Sequence, residues 1–182
     1  MSKIFVPTLY KDTYLRTNNV SSAINAMIRA RDLGSFMLFV QNHKGLNVNK
    51  PDRCGINPIF LAIEMENIDF IKAIVSHRTF DYQQKDETTQ STPAIEAAKT
   101  GDIAIIKEVC VSIPCDFDYC NKENLNVLRA AKIFGNSQAY EFLSSRESIC
   151  RQEYQATKQL EKFVQPSWLE QTKRFLRLTA EA

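Results

Sequence analysis

The chain lacks any run of eighteen uncharged apolar residues, and its opening stretch MSKIFVPTLYKDTYLR has no apolar block of signal-peptide length. Neither a membrane span nor a cleaved secretory leader is therefore expected. It also lacks a charge imbalance: 23 Lys and Arg face 21 Asp and Glu, for a formal net charge of +2. A nucleic-acid binder needs a basic footprint, so no nucleic-acid partner is expected. Cysteine is present 5 times, an odd number at irregular spacing, which suits a reducing cytoplasmic setting better than a disulfide framework. Histidine occurs twice and no glycine-rich phosphate loop is present.

What is there is an ordinary globular composition, 44% hydrophobic and 24% charged over 182 residues, about one domain's worth of chain and enough to bury a core. Self-similarity then organises it. Four segments align with a period of 34 to 35 residues: SAINAMIRARDLGSFMLFV from Ser22, NPIFLAIEMENIDFIKAIV from Asn57, TPAIEAAKTGDIAIIKEVC from Thr92 and NVLRAAKIFGNSQAYEFLS from Asn126.

Whole columns agree in physical type. Ser22, Asn57, Thr92 and Asn126 are N-capping residues, whose side chains accept a hydrogen bond from the unpaired amides of a helix's first turn. Pro58 and Pro93 follow two of them at the first helical position, where a missing N–H costs nothing. Ten residues on, Asp32, Asn67, Asp102 and Asn136 form a second capping column, so each unit reads as a helix pair. Apolar columns run through the first helices at Ile24, Ile59, Ala94 and Leu128, and at Met27, Ala62, Ala97 and Ala131. In the second helices Phe36, Ile71, Ile106 and Tyr140 share a column, with Phe39, Ile74, Val109 and Leu143 three residues on, one buried stripe. Polar turns led by Asp52, Asp86 and Asn121 separate the units, with Gly55 and Asn124 where a positive φ is expected.

These residues carry a family resemblance. Thr92-Pro93 with Ala97-Ala98 and Gly101, the Asp52-x-x-Gly55 turn and Asn47-Val48-Asn49 at a unit's end resemble ankyrin repeats, whose period is 33. The likeness spans roughly residues 22–145, strongest in the third unit. It implies an all-α solenoid of stacked helix pairs: an N-terminal arm or cap at 1–21, units at about 22–51, 52–85, 86–120 and 121–145, and a two-helix C-terminal cap at 146–182. Lys132, standing where the third unit has its second alanine, suggests a solvent-facing edge.

The resemblance further implies a non-catalytic scaffold, expected to be monomeric, that binds a partner protein on the concave face of turn tips and first helices. Ligand-dependent positions of the family fall on Arg53, Cys54, Ile56, Glu64 and Met65, on Glu87, Thr88, Gln90, Lys99 and Thr100, and on Lys122, Glu123, Leu125, Ile133 and Phe134. Candidate partner-binding residues are Arg53, Ile56, Met65, Lys85, Lys122, Leu125, Ile133 and Phe134, apolar members at the centre and charged ones at the rim. A competing reading has the chain's own termini cover part of this face.

The tail makes that reading concrete. Ile149, Ala156, Leu160, Phe163 and Val164 share one helical face up to the break at Pro166, and Ser167-Trp168-Leu169-Glu170 matches a capping box for a second helix. Lys173, Arg174 and Arg177 beside Trp168 and Phe175 also fit a helix lying on an anionic membrane. An alternative function of a different class is thus an effector or targeting module of a bacterium or virus acting in host cytosol.

Catalysis finds no assembled groups. Glu64, Glu66 and Asp69 fall on the exposed side of a helix pair with no partner base, and no nucleophile, base and orienting group come together. His43 and His77 lie near second-helix ends and read as local hydrogen-bonding residues. Cys110, Cys115 and Cys120 are spaced five apart, wider than the usual zinc pair, and Cys110 sits in a core column. No catalytic residue, metal ligand or cofactor is nominated.

Overall fold

The computed structural model describes residues 6–43, 46–111, 115–134 and 137–148, in a chain that divides into two compact units, Met1–Leu143 and Ser144–Ala182. Among the described residues every regular element is a helix and none is a strand, so the chain is all-α. The first unit holds a 3₁₀ turn at Thr8–Tyr10, then α1 (Lys11–Thr17), α2 (Val20–Arg29), α3 (Leu33–Asn42), α4 (Pro58–Glu64), α5 (Ile68–Val75), α6 (Pro93–Thr100), α7 (Ile103–Val111) and α8 (Val127–Ile133). Residues 137–143 are helical as well. In the second unit the described residues, 144–148, are helical, and the two-helix reading of the tail lies outside the described residues beyond that point.

Side chains that cap the backbone mark where these helices start. Thr92 Oγ1 accepts from Ile95 N at 3.4 Å and Asn126 Oδ1 from Arg129 N at 2.8 Å. In the second helices Asp32 Oδ1 accepts from Ser35 N at 2.9 Å, Asn67 Oδ1 from Phe70 N at 3.4 Å, and Asp102 Oδ1 from Ala104 N. Asn136 lies outside the described residues. Two expectations change. α2 starts a turn before Ser22: Asn19 offers a capping carbonyl three residues earlier and accepts from Ser22 N at 3.1 Å, leaving Ser22 inside the first turn. Asn57 occupies the cap position of α4 without capping: its amide is turned toward the next turn, where Nδ2 donates to Gln84 Oε1 at 3.2 Å, and its Oδ1 accepts from none of the first-turn amides.

The helices pack in two rows. α2, α4, α6 and α8 follow one another, each against the next, and α3, α5 and α7 form the second row, with α2–α3, α4–α5 and α6–α7 joining the rows. Side-chain size explains the layering. Met27, Ala62, Ala97 and Ala131 are completely buried in the first row, where small residues let backbones approach. Phe36, Phe39, Ile71, Ile74, Ile106 and Val109 fill the space behind, each contributing about 1.5–3 kcal/mol on full burial. Phe36 meets Phe70 of the next pair at 5.2 Å between ring centroids. Tyr140 departs from its column and is 38% exposed; it belongs to the last aligned segment, with no further helix pair among the described residues.

The N-terminal segment packs on α2 through α1 and the 3₁₀ turn. Tyr10 is buried and its hydroxyl donates to Asp32 Oδ2 at 3.0 Å, fastening this segment to the start of α3. Burial, followed by that hydrogen bond, raises the Tyr10 hydroxyl above its ordinary range.

Candidate functional site

Three turns present the chain between the helix pairs, each built on one side chain. Asp52 Oδ1 accepts from Cys54 N at 2.8 Å and Ile56 N at 3.1 Å. Asn121 Oδ1 accepts likewise from Glu123 N at 3.0 Å and Leu125 N at 2.9 Å. Asp86 Oδ2 gathers Thr88 N, Thr89 N and Thr89 Oγ1 within 3.0 Å. Gly55 and Asn124 take the positive φ expected of them, 79° and 57°. The middle turn is one residue longer, and Gln90 adopts φ 59° there, a conformation its residue type did not announce.

The turns are bolted to one another. Asn25 Nδ2, fully buried, donates to both Asp52 Oδ2 and Ile56 O at 2.9 Å. Burial pushes the Asp52 carboxyl up, but hydrogen bonds from Asn25 and the turn amides outweigh it and leave it below the usual carboxylate range. Gln84 Nε2 reaches Asn49 Oδ1 at 3.0 Å, Asn121 Nδ2 reaches Ser91 Oγ at 2.7 Å, and Tyr119 Oη donates to Gln90 O at 2.6 Å. A Cβ on Gly55 would come within 3.0 Å of Glu87 Oε2, so the first and second turn tips also touch.

The candidate partner-binding residues are spread along this scaffold in three states. Arg53, Ile133 and Phe134 are exposed, the last two at 64% and 53%. Ile56, Met65 and Leu125 are half-buried. Lys85 and Lys122 reach solvent but are held by the protein itself: Lys85 Nζ sits 4.2 Å from the Tyr119 ring centre, and Lys122 Nζ donates to Thr88 O at 2.9 Å. Only Ile133 and Phe134, adjacent at the end of α8, form an exposed apolar pair among these eight.

The structure also brings together a set of residues that the sequence pattern left scattered. Between α4 and α6, under the Asp86 turn, runs an open groove of about 480 Å³ lined by Phe60, Ile63, Glu64, Asp86, Thr89, Glu96, Lys99 and Thr100. Of these, Glu64, Lys99 and Thr100 are among the ligand-dependent positions named from the repeat, Glu64 and Lys99 in equivalent places. Phe60, Ile63 and Glu96 carried no signal beyond their helices. Lys99 is pinned by Glu96 Oε1 at 3.0 Å and Glu123 Oε2 at 2.9 Å. Burial disfavours its charge, yet the bonds from Glu123 and Glu96 prevail and hold the ammonium above its ordinary value. A second cavity, between Tyr82, Thr92, Val109 and Cys115, has only about 10 Å³.

The histidines act locally. His43 Nδ1 lies 2.7 Å from Phe39 O and His77 Nδ1 lies 2.9 Å from Thr79 Oγ1. Cys110 is buried in the core, while Cys54 and Cys120 are exposed. Among the described residues no three His, Cys, Asp or Glu side chains gather as a metal site, and no helix is long and apolar enough to cross a membrane. The membrane-helix reading of Lys173, Arg174 and Arg177 falls outside the described residues. No protein-family model matches the chain, and no curated protein is similar to it.

Proposed function

We propose that the chain is an ankyrin-type repeat scaffold that binds a partner protein, without catalysis, on the face formed by α2, α4, α6, α8 and the turn tips. Ile133 and Phe134 carry the reading. Two adjacent large apolar side chains, 64% and 53% exposed, stand at the positions where the preceding units present Glu64-Met65 and Lys99-Thr100. Exposed apolar side chains grouped on a regular framework mark an interface, and aromatic anchors concentrate binding energy. Arg53, at the first turn tip, lies at the rim, where charge steers approach more than it holds.

The test is quantitative affinity capture with the full chain as bait, comparing the native protein with the Ile133→Asp/Phe134→Asp double variant. The variant is expected to keep its far-ultraviolet circular dichroism and its stability to within about 1 kcal/mol, since both positions are exposed. It is expected to recover about tenfold less of the partner. Unchanged recovery sinks the proposal, as does the absence of any protein held by the native chain.

A further inference from the structure

The groove between α4 and α6 has a composition that selects its occupant. Its floor is apolar, from Phe60 and the buried Ile63. Its rim carries three carboxylates, Glu64, Asp86 and Glu96, against one ammonium, Lys99. That ammonium is already committed, to Glu96 Oε1 at 3.0 Å and to Glu123 Oε2 at 2.9 Å. Lys99 thus serves as an internal fastener between α6 and the following turn and offsets Glu96, one of the three rim carboxylates, so that the lining keeps an excess of negative charge at Glu64 and Asp86. Glu64 is exposed at the mouth, and Asp86 turns Oδ2 inward to its own loop amides, forming no ion pair among the described residues. The volume falls within the range of roughly 300–1,000 Å³ typical of sites for small ligands, ample for one long side chain and its neighbours.

An apolar floor with an anionic rim suits a side chain that is itself apolar along its stem and cationic at its tip. Low-dielectric walls on both sides focus the field of like charges into the cleft. We propose that this groove receives an arginine- or lysine-bearing segment of the partner protein, its methylene stem lying on Phe60 and Ile63 and its cationic head at the exposed Glu64. Arginine is favoured of the two, because a planar guanidinium meets a carboxylate with paired hydrogen bonds and sheds water more readily than an ammonium. This inference rests on reading the α2–α4–α6–α8 face as a protein-binding surface, and it adds a second contact, of opposite character to the apolar pair Ile133 and Phe134.

The experiment selects phage-displayed dodecapeptides on the immobilised full chain, then measures the enriched peptides by fluorescence polarisation. Selected sequences are expected to share an Arg or Lys beside an apolar residue. Their affinity should fall about tenfold in Glu64→Lys and about threefold as salt rises from 0.05 to 0.3 M, and should be unchanged in Ile133→Asp/Phe134→Asp. Glu64→Gln, which removes charge without reversing it, should lose less than Glu64→Lys. Peptides without a basic residue, or ones insensitive to Glu64→Lys yet lost in the double variant, overturn the groove proposal while leaving the binding face intact. Selected sequences matching residues 149–182 would assign the groove to the chain's own tail, and a dimer in sedimentation that Glu64→Lys dissociates would assign it to a second copy; either overturns it. Failure of both variants to alter any binding removes this inference and the underlying reading together.

Discussion

α6 and α8 are nearly the same helix in sequence register and differ in what surrounds them. Both begin with a capping side chain, Thr92 or Asn126, and both bury an alanine completely at the same column, Ala97 or Ala131. One residue later the two part company: Ala98 is fully buried, whereas Lys132 is exposed. At the next two positions Lys99 is tied to Glu96 and Glu123, and Thr100 Oγ1 donates to Ala97 O at 2.8 Å, while Ile133 and Phe134 reach into solvent. α6 lies between α4 and α8. A helix with neighbours on both sides must be small and polar-satisfied along its flanks, and α8, the last helix of its row among the described residues, is released from that demand.

The sharpest way to break the comparison is to make α6 resemble α8. Ala98→Lys is expected to cost about 3–5 kcal/mol in urea denaturation, or to prevent folding, because it places an unpaired charge in a fully packed site. Lys132→Ala, the reciprocal change, should stay within about 0.5 kcal/mol. Equal effects from the two would mean that the neighbours of α6 do not constrain it.

A middle-sized effect should come from the turn that leads into α8 and bonds back to Ser91, just ahead of α6. Asn121→Ala removes an acceptor for two backbone amides and the donor to Ser91 Oγ, at an expected cost of about 1–3 kcal/mol in thermal or urea unfolding. Asn121→Asp, which keeps the acceptor and loses the donor, should recover part of that loss. A full recovery would show that the bond across to the preceding turn contributes nothing.

The smallest effect is electrostatic. Glu123 is held below its ordinary value of 4.5 by the Lys99 hydrogen bond and charge. A depressed carboxyl contributes stability above its unfolded value and loses it as pH falls through the folded one. Lys99, raised above its ordinary 10.5, contributes below that value and loses it as pH rises through its folded one. The difference in melting temperature between the native chain and Glu123→Gln should therefore be positive and level from about pH 6 to pH 9, and should shrink below about pH 4.5. A difference that persists undiminished at pH 3 would show that the exposed ion pair is not its source.

Much of the helical plan was legible. Thr92, Asn126, Asp32, Asn67 and Asp102 announce helix starts by local chemistry, and each side chain accepts the expected first-turn amide. Ser22 misled, because a serine in a first turn looks like a cap when nothing blocks the helix from beginning earlier. The backbone between paired helices was half-hidden: Gly101 takes φ 71° as glycine invites, but Arg31 and Glu66 take φ 55° and 49° at the same place in their units, a strain imposed by the packing of each pair. The candidate site was less legible. Lys85 and Lys122 read as solvent-seeking charges, and only the folded chain shows the Tyr119 ring and the Thr88 carbonyl that occupy them.

By itself the sequence determined the paired helices α2 to α8, their order and most of the columns that turn inward, since caps, prolines and apolar columns act over a few residues. Tertiary structure alone decided which flank stays open. Whether Ile63 or Ala98 is covered, and whether Phe60, Glu64 and Glu96 line one groove with Lys99 already paired, depends on the distance between neighbouring helices. That distance is set by packing between residues about 35 positions apart, and no local pattern encodes it.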